Sequence, residues 1–312
     1  AMHVKLNSLP DGQLPEFFSL YGVQKLPWFW EPFHSFGFTA IAIFVIPAIV
    51  AGLLGYLVFR NRIRGVYFSI LTQAALVVFF NFFNSQQKLI NGTNGLKTDT
   101  DTLFGLVAGT PQAQYRFYVI TIIFLALAYG LCRWLTSGRF GRLLVAIRDD
   151  ESRVRFSGYD PTSYKVLVFA IAGALAGISG ALYAIQSGII SPKEMEVARS
   201  IEMVIWVAVG GRATLIGAVI GALLVNFARS LLSEQFPTVW LFFQGGLFLL
   251  VVTVLPDGII GWIKTGLLSQ LQFIRRRPKP VVNYPSLDLD PMVEEERKEV
   301  AASRHQDNMP EQ

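Results

Sequence analysis

Catalysis needs acids, bases, nucleophiles or metal ligands brought together, and this sequence offers few candidates. The densest titratable cluster is Asp149-Asp150-Glu151. Neighbouring carboxylates can share general acid and base work. These lie among Arg148, Arg153 and Arg155, however, so a salt-bridged, solvated surface is the expected role. His3, His34 and His305 show no metal-ligand spacing, and the single cysteine, Cys132, excludes an intrachain disulfide or a cysteine-based metal cluster. The sequence contains no GxxxxGK[ST] phosphate loop, no GxSxG elbow, no HExxH and no kinase signature. Neither an enzyme nor an ATP-binding chain is predicted, and no cofactor. What remains are uncharged polar groups in apolar surroundings: Gln73, Asn81, Asn226 and Gln244 lie in or beside apolar runs. Such amides mostly hydrogen-bond between helices.

The elements that must hold these groups are membrane spans. Hydrophobic residues make up 52% of the 312 and charged residues 16%, against about 25% charged in an ordinary globular domain. Ten charges fall in residues 138–165 and 16 in 264–312, which leaves long uncharged runs. A helix rising about 1.5 Å per residue needs roughly 20 apolar residues to cross about 30 Å of hydrocarbon. Residues 36–59, 65–87, 115–136, 166–192 and 235–256 meet that requirement, and 166–192 carries the small-residue pattern AIAGALAGISGALYA for close packing. The expected fold is all-α, a polytopic membrane protein with about seven transmembrane segments, one of them short or discontinuous near 201–211. There the uncharged run 203–211 stops at Gly210-Gly211-Arg212, and 213–228 supplies another. Two descriptions fit: a discontinuous helix lining a substrate cavity, or two short helices joined by a Gly-Gly turn, with Gly217 and Gly221 used for packing. No Asp, Glu, Lys or His sits mid-span, which disfavours proton coupling.

Basic residues collect in three places: Arg60, Arg62 and Arg64; Arg133 through Lys165; and Arg275, Arg276, Arg277 and Lys279. Basic loops tend to be cytoplasmic. The crossings then alternate, with residues 1–35 as an extracytoplasmic segment, 36–265 as the transmembrane domain, 137–165 as a cytoplasmic loop and 266–312 as a flexible cytoplasmic tail. The net charge of +5 thus reflects topology, with no nucleic-acid partner implied. Within the loop, Phe140, Leu143, Leu144 and Ile147 recur at i, i+3, i+4 and i+7, predicting a short amphipathic helix. It could dock a peripheral protein or lie on lipid headgroups.

At this point the residues resemble a known family. FGRLLVAIRDDESRVRFSGYDPTSYK and the following FAIAGALAGISGALYA are similar to the coupling loop and next span of LivM-like permeases, the membrane subunits of branched-chain amino acid ABC importers. IISPKEMEVARSIEMVIWVAVGGRATLIGAVIGALLV and RIRGVYFSILTQAAL resemble further segments of that family, and the likeness covers about residues 60–265. LPWFW, YFSILTQA, NGTNGL and the tail YPSLDLDPMVEEER look most like the C-type permeases of urea importers. Family members begin with additional spans, so Ala1-Met2 looks like the end of a region not present here. The resemblance implies a bacterial inner-membrane subunit translocating urea, with branched-chain amino acids as the alternative. It implies a second homologous permease, two ABC ATPase subunits and a periplasmic binding protein as partners. A passive channel working alone is the remaining alternative. Phe140, Gly141, Arg142, Leu143, Ala146, Ile147, Arg148, Asp149 and Asp150 would form the ATPase-coupling helix, with Phe140 and Leu143 as its apolar anchors. Urea needs amides, hydroxyls and backbone groups near apolar walls. Candidate path residues are Thr72, Gln73, Thr214, Asn226 and Gln244, with Gly210, Gly211 and Gly217 giving backbone access.

Overall fold

A computed structural model describes residues 1–9, 14–23, 25–63, 65–98, 102–103, 106–107, 109–212 and 214–235, together with 242, 245–246, 249, 253 and 258–262. Most of the predicted span 235–256, the whole tail 266–312 and Gln244 lie outside the described residues. In chain order the helices are α1 (Met2–Asn7), α2 (Glu16–Leu20), α3 (Phe36–Arg60), α4 (Val66–Ser85), α5 (Gln87–Ile90), α6 (Pro111–Ser137), α7 (Arg139–Asp149), α8 (Glu151–Phe156), α9 (Pro161–Gln186), α10 (Val197–Gly210) and α11 (Leu215–Gln235). Among the described residues four two-residue strands accompany them: β1 (Leu96–Lys97) pairs antiparallel with β4 (Ile189–Ile190), and β2 (Thr102–Leu103) with β3 (Leu106–Val107). The chain is all-α in class, as the sequence predicts.

Five helices among the described residues, α3, α4, α6, α9 and α11, are long and apolar enough to cross a membrane. The short segment expected near 201–211 is α10. Its 14 residues extend about 21 Å, less than a hydrocarbon core, and it ends at Gly211 with φ 130°. Helix starts differ from the uncharged runs because capping sets them. Asp160 accepts from Thr162 N–H (3.1 Å) and Ser163 N–H (3.2 Å), and Pro161 takes the first helical position. Both features start a helix, so α9 begins at 161 and takes Lys165 into its first turns. Thr110 and Pro111 start α6 the same way.

The main helix pair is α3 with α9, and its geometry follows from Pro47. A proline inside a helix has no N–H for the carbonyl four residues back, here Ile43. Gly177 of α9 lies against that carbonyl, and a Cβ on it would stand 2.7 Å from Pro47 Cγ. Gly173, one turn earlier, would put its Cβ 2.7 Å from Pro47 O. Small residues thus let the backbones touch where the ladder is broken, the arrangement available to helices in lipid, where apolar burial contributes little. Gln186 ties α9 to α6 by donating to Thr121 Oγ1 (2.6 Å) and Phe117 O (3.2 Å).

The two ends of this assembly differ. At one end Phe59 of α3, the α7–α8 loop and the start of α9 meet, with Lys165 Nζ 5.9 Å from the Phe59 ring centre. At the opposite end the amino-terminal residues cover the loops: Met2, Leu6, Phe17, Phe18 and Leu96 form one buried cluster, and Val4, Ala113 and Phe117 another. Thr98, fully buried, donates to Ala184 O at 2.9 Å. The NGTNGL turn is structural here. Asn91 has φ 56° and donates to Gly95 O at 2.8 Å, while Gly95 (φ 72°) sits on Ile190.

Candidate functional site

At the basic end, one residue, Gly138, separates α6 from α7. The chain reverses so tightly that a Cβ on Gly141 would lie 2.8 Å from Thr136 Cα and nearer still to its carbonyl. The predicted amphipathic helix is present, but its apolar stripe turns inward. Ile147 is buried, Phe140, Leu143 and Leu144 are half-buried, and the Phe140 ring lies 6.0 Å from Tyr164. Phe140, expected with Leu143 as an apolar anchor for an ATPase, lies against the chain's own Tyr164, and Leu143 is half-buried. The outward face carries Arg142, Val145, Ala146, Arg148 and Asp149. Val145 is 48% exposed, and Phe156 at the end of α8 is 93% exposed. Neither belongs to the apolar stripe, and in sequence only their spacing off that stripe marks them.

The acidic cluster is a set of caps and ion pairs. Asp150 caps α8 by accepting from Ser152 N–H (3.0 Å) and Arg153 N–H (3.2 Å), and pairs with Arg153 at 2.9 Å. Asp149 accepts from Arg148 at 3.1 Å. Glu151 accepts from Lys165 Nζ at 2.7 Å and lies 3.6 Å from Arg155. With each carboxylate engaged in this way, the expected salt-bridged surface replaces acid–base chemistry. The loop is instead fastened to α9. A cleft of about 600 Å³ remains where α3, α7, α8 and α9 meet, lined by Phe59, Ile147, Glu151, Lys165 and Phe169 among others.

The proposed path residues do not converge. Thr72 donates to Phe68 O and Ser69 O, both at 3.0 Å, within α4, and Gln73, also on α4, has a buried Oε1 without a partner. Gly210, Gly211, Thr214 and Gly217 form the tip of the α10–α11 hairpin, where Gly217 N–H donates to Thr214 Oγ1 at 3.1 Å. A Cβ on Gly221 would stand 2.7 Å from Gly210 N, so these glycines serve close helix packing, the second of the two descriptions above. Asn226 is exposed and donates to Ala222 O at 2.8 Å. It lies nine residues along α11 from Gly217, about 13 Å.

The sequence reading missed an ionic cluster at the other end of this hairpin. Because α10 starts at Val197, ahead of the uncharged run, it carries Arg199 and Glu202. Glu202 is 5% exposed and accepts from Arg199 Nη1 at 3.0 Å and from Arg229 Nη1 of α11 at 2.5 Å. Arg199 also pairs with Glu194 at 3.2 Å, in the 3₁₀ turn Pro192–Met195. Glu202, in the second turn of the short α10 and outside the five long apolar helices, is buried inside the hairpin and doubly paired. A shallow open pocket of about 500 Å³ beside it is lined by Arg199, Asn226, Arg229, Ser230 and Ser233.

Residues 17–252 match the family described as branched-chain amino acid transport system / permease component. The chain is 27% identical over 251 residues to the high-affinity branched-chain amino acid transport system permease protein LivM of Escherichia coli, covering 73% of this chain and 58% of that one. It is 26% identical over 247 residues to a probable LivM of Methanocaldococcus jannaschii, covering 70% and 69%. The ribose import permease protein RbsC of Haemophilus influenzae shares 21% over 229 residues, covering 70% and 68%. No solved structure matches. The chain thus spans somewhat under three fifths of the length of the Escherichia coli relative. The narrower resemblance to urea permeases finds no support in these relatives, whose names speak of amino acids and ribose. With several apolar helices, a broken hairpin and a loop fastened to a spanning helix, the chain belongs to the branched-chain amino acid transport system permease family.

Proposed function

We propose that this chain is a membrane-crossing permease subunit of an ATP-binding-cassette importer, and that its cargo is a branched-chain or related amino acid. The observation that carries this reading is the link between Glu151 and Lys165, which joins the α7–α8 loop to α9. The basic end faces the cytoplasm. An ATPase subunit docks there on the exposed face of Arg142, Val145, Ala146, Arg148 and Asp149, with Phe156 as its apolar anchor. A buried aromatic anchor carries much of the energy of such a contact. Closure of two ATPases on nucleotide moves α7. The single-residue joint at Gly138 passes that motion to α6, and the Glu151–Lys165 pair passes it to α9 and so to α3. A second homologous permease completes the pathway, and a periplasmic binding protein delivers the solute to the opposite face.

The urea reading rests on LPWFW, YFSILTQA, NGTNGL and the tail 284–297; the tail lies outside the described residues, and NGTNGL has a structural role in its loop. Amino-acid cargo is the better supported reading because relatives named for it align over 70% or more of this chain. The test is uptake of labelled leucine and labelled urea by cells lacking their own systems and expressing this chain with its neighbouring subunits. Leucine uptake that excess urea leaves unchanged is expected; urea uptake insensitive to leucine would overturn the cargo assignment.

A further inference from the structure

We infer that the outer half of the α10–α11 hairpin recognises the zwitterionic head of an α-amino acid, an inference that rests on the function proposed above and deepens it. Asn226, Arg229, Ser230 and Ser233 fall at i, i+3, i+4 and i+7 of α11, one polar stripe on a helix that elsewhere exposes Leu223, Leu224, Phe227 and Leu231. Hydrocarbon does not tolerate such a stripe, so it faces an aqueous space, the shallow open pocket of about 500 Å³ that Arg199 also lines from α10.

The chemistry of that pocket selects its ligand. Arg199, Arg229, Glu194 and Glu202 sum to zero formal charge. A lone anion or cation would add an uncompensated charge, whereas a zwitterion adds none. Glu202, buried behind the two arginines, holds both in place. Arg229 uses one Nη on Glu202, and its other donors have no partner among the described residues, so its fork can receive a carboxylate. Glu194 is one third exposed beside Arg199 and can accept from an ammonium group. Tyr183 lies near Glu194 and lines an apolar cavity of about 560 Å³ between α6 and α9 with Phe124, Leu127 and Leu182. Apolar walls of that kind suit an aliphatic side chain. Neutral urea would leave both the guanidinium fork and the carboxylate without a charged partner.

The test uses Ser230→Cys in a Cys132→Ser background, with the full chain and its partner subunits in phosphatidylglycerol nanodiscs. A membrane-impermeant thiol reagent should label position 230. Leucine should slow labelling about threefold at twice its dissociation constant, while isoamylamine and isocaproate, each lacking one charge of the head, should not. Arg229→Gln should abolish protection, each variant's labelling with leucine being read against its own leucine-free rate, and Arg229→Lys should retain part of it. No labelling, equal protection by all three solutes, or protection surviving Arg229→Gln would overturn the site. Protection by phosphatidylethanolamine nanodiscs without leucine would assign the pocket to lipid and also overturn it. Leucine uptake measured alongside separates the two ideas. Uptake without protection overturns only the site; protection without uptake overturns only the transport function.

Discussion

Lys165, in the first turns of α9, donates to Glu151, the first residue of α8, at 2.7 Å, and the two side chains are 29% and 11% exposed. This pair connects the loop at the basic end to the helix whose glycines pack on α3. A charged hydrogen bond of this burial contributes about 2 kcal/mol, roughly thirtyfold in an equilibrium. Lys165→Ala is expected to lower uptake about tenfold while ATPase subunits still co-purify. The exchange Glu151→Lys with Lys165→Glu should recover much of the loss. Measuring uptake and co-purification together checks this, and normal uptake in Lys165→Ala would remove the pair from the transmission.

The α3–α9 contact tolerates no side chain at its centre. Gly177→Val would drive a branched side chain into Ile43 and Pro47, and overpacking of this kind costs about 1–3 kcal/mol. Gly180, one turn on, meets nothing within 4 Å. Thermal unfolding in detergent should show a lowered midpoint for Gly177→Val and an unchanged one for Gly180→Ala.

Much of this was legible beforehand, and the misses have physical causes. The spans followed from uncharged runs, and the α7 helix followed from the spacing of Phe140, Leu143, Leu144 and Ile147. Periodicity identifies an apolar stripe without saying whether it meets the chain's own helices or a partner, so in sequence Phe140 suits either place. The Glu202 cluster escaped because span detection by uncharged runs stops at the first charge, and only the fold brings Arg229 across 27 residues to neutralise it. The glycines at 210, 217 and 221 suit a cavity wall or a close helix contact equally well in sequence. The approach of Gly221 to Gly210 decides for contact.

Removing Glu202 should be costly because it leaves two arginines facing each other. Breaking a buried ion pair from one side typically costs about 3–5 kcal/mol. Glu202→Ala is expected to reduce folded yield sharply, and adding Arg229→Met to it should restore a substantial part. Yield after size-exclusion chromatography provides the comparison; equal yields in all variants would make the cluster structurally idle.

Asp160 gives a small pH dependence. The Ser163 hydroxyl, donating at 2.6 Å, holds its carboxyl below the usual carboxylate range, aided by the Thr162 and Ser163 amides against a partial offset from desolvation. A depressed folded-state pKa contributes stability that is complete above the unfolded value, about 3.9, and is lost as pH falls through the folded one. Replacing the cap by Ala should cost about 1 kcal/mol near neutrality. Asp160→Asn should keep most of the stability and flatten its decline in acid, as read from unfolding midpoints between neutral pH and pH about 3.

Docking through α7 is tested most directly by site-specific crosslinking. Val145→Cys in a Cys132→Ser background, carrying a short thiol-reactive photocrosslinker, would be irradiated in the assembled complex with and without nucleotide. The account predicts a crosslink to an ATPase subunit whose yield changes with nucleotide and falls when Phe156→Ala is added. A position 145 that never reaches an ATPase, while the complex transports normally and crosslinks from another surface of this chain, would contradict it.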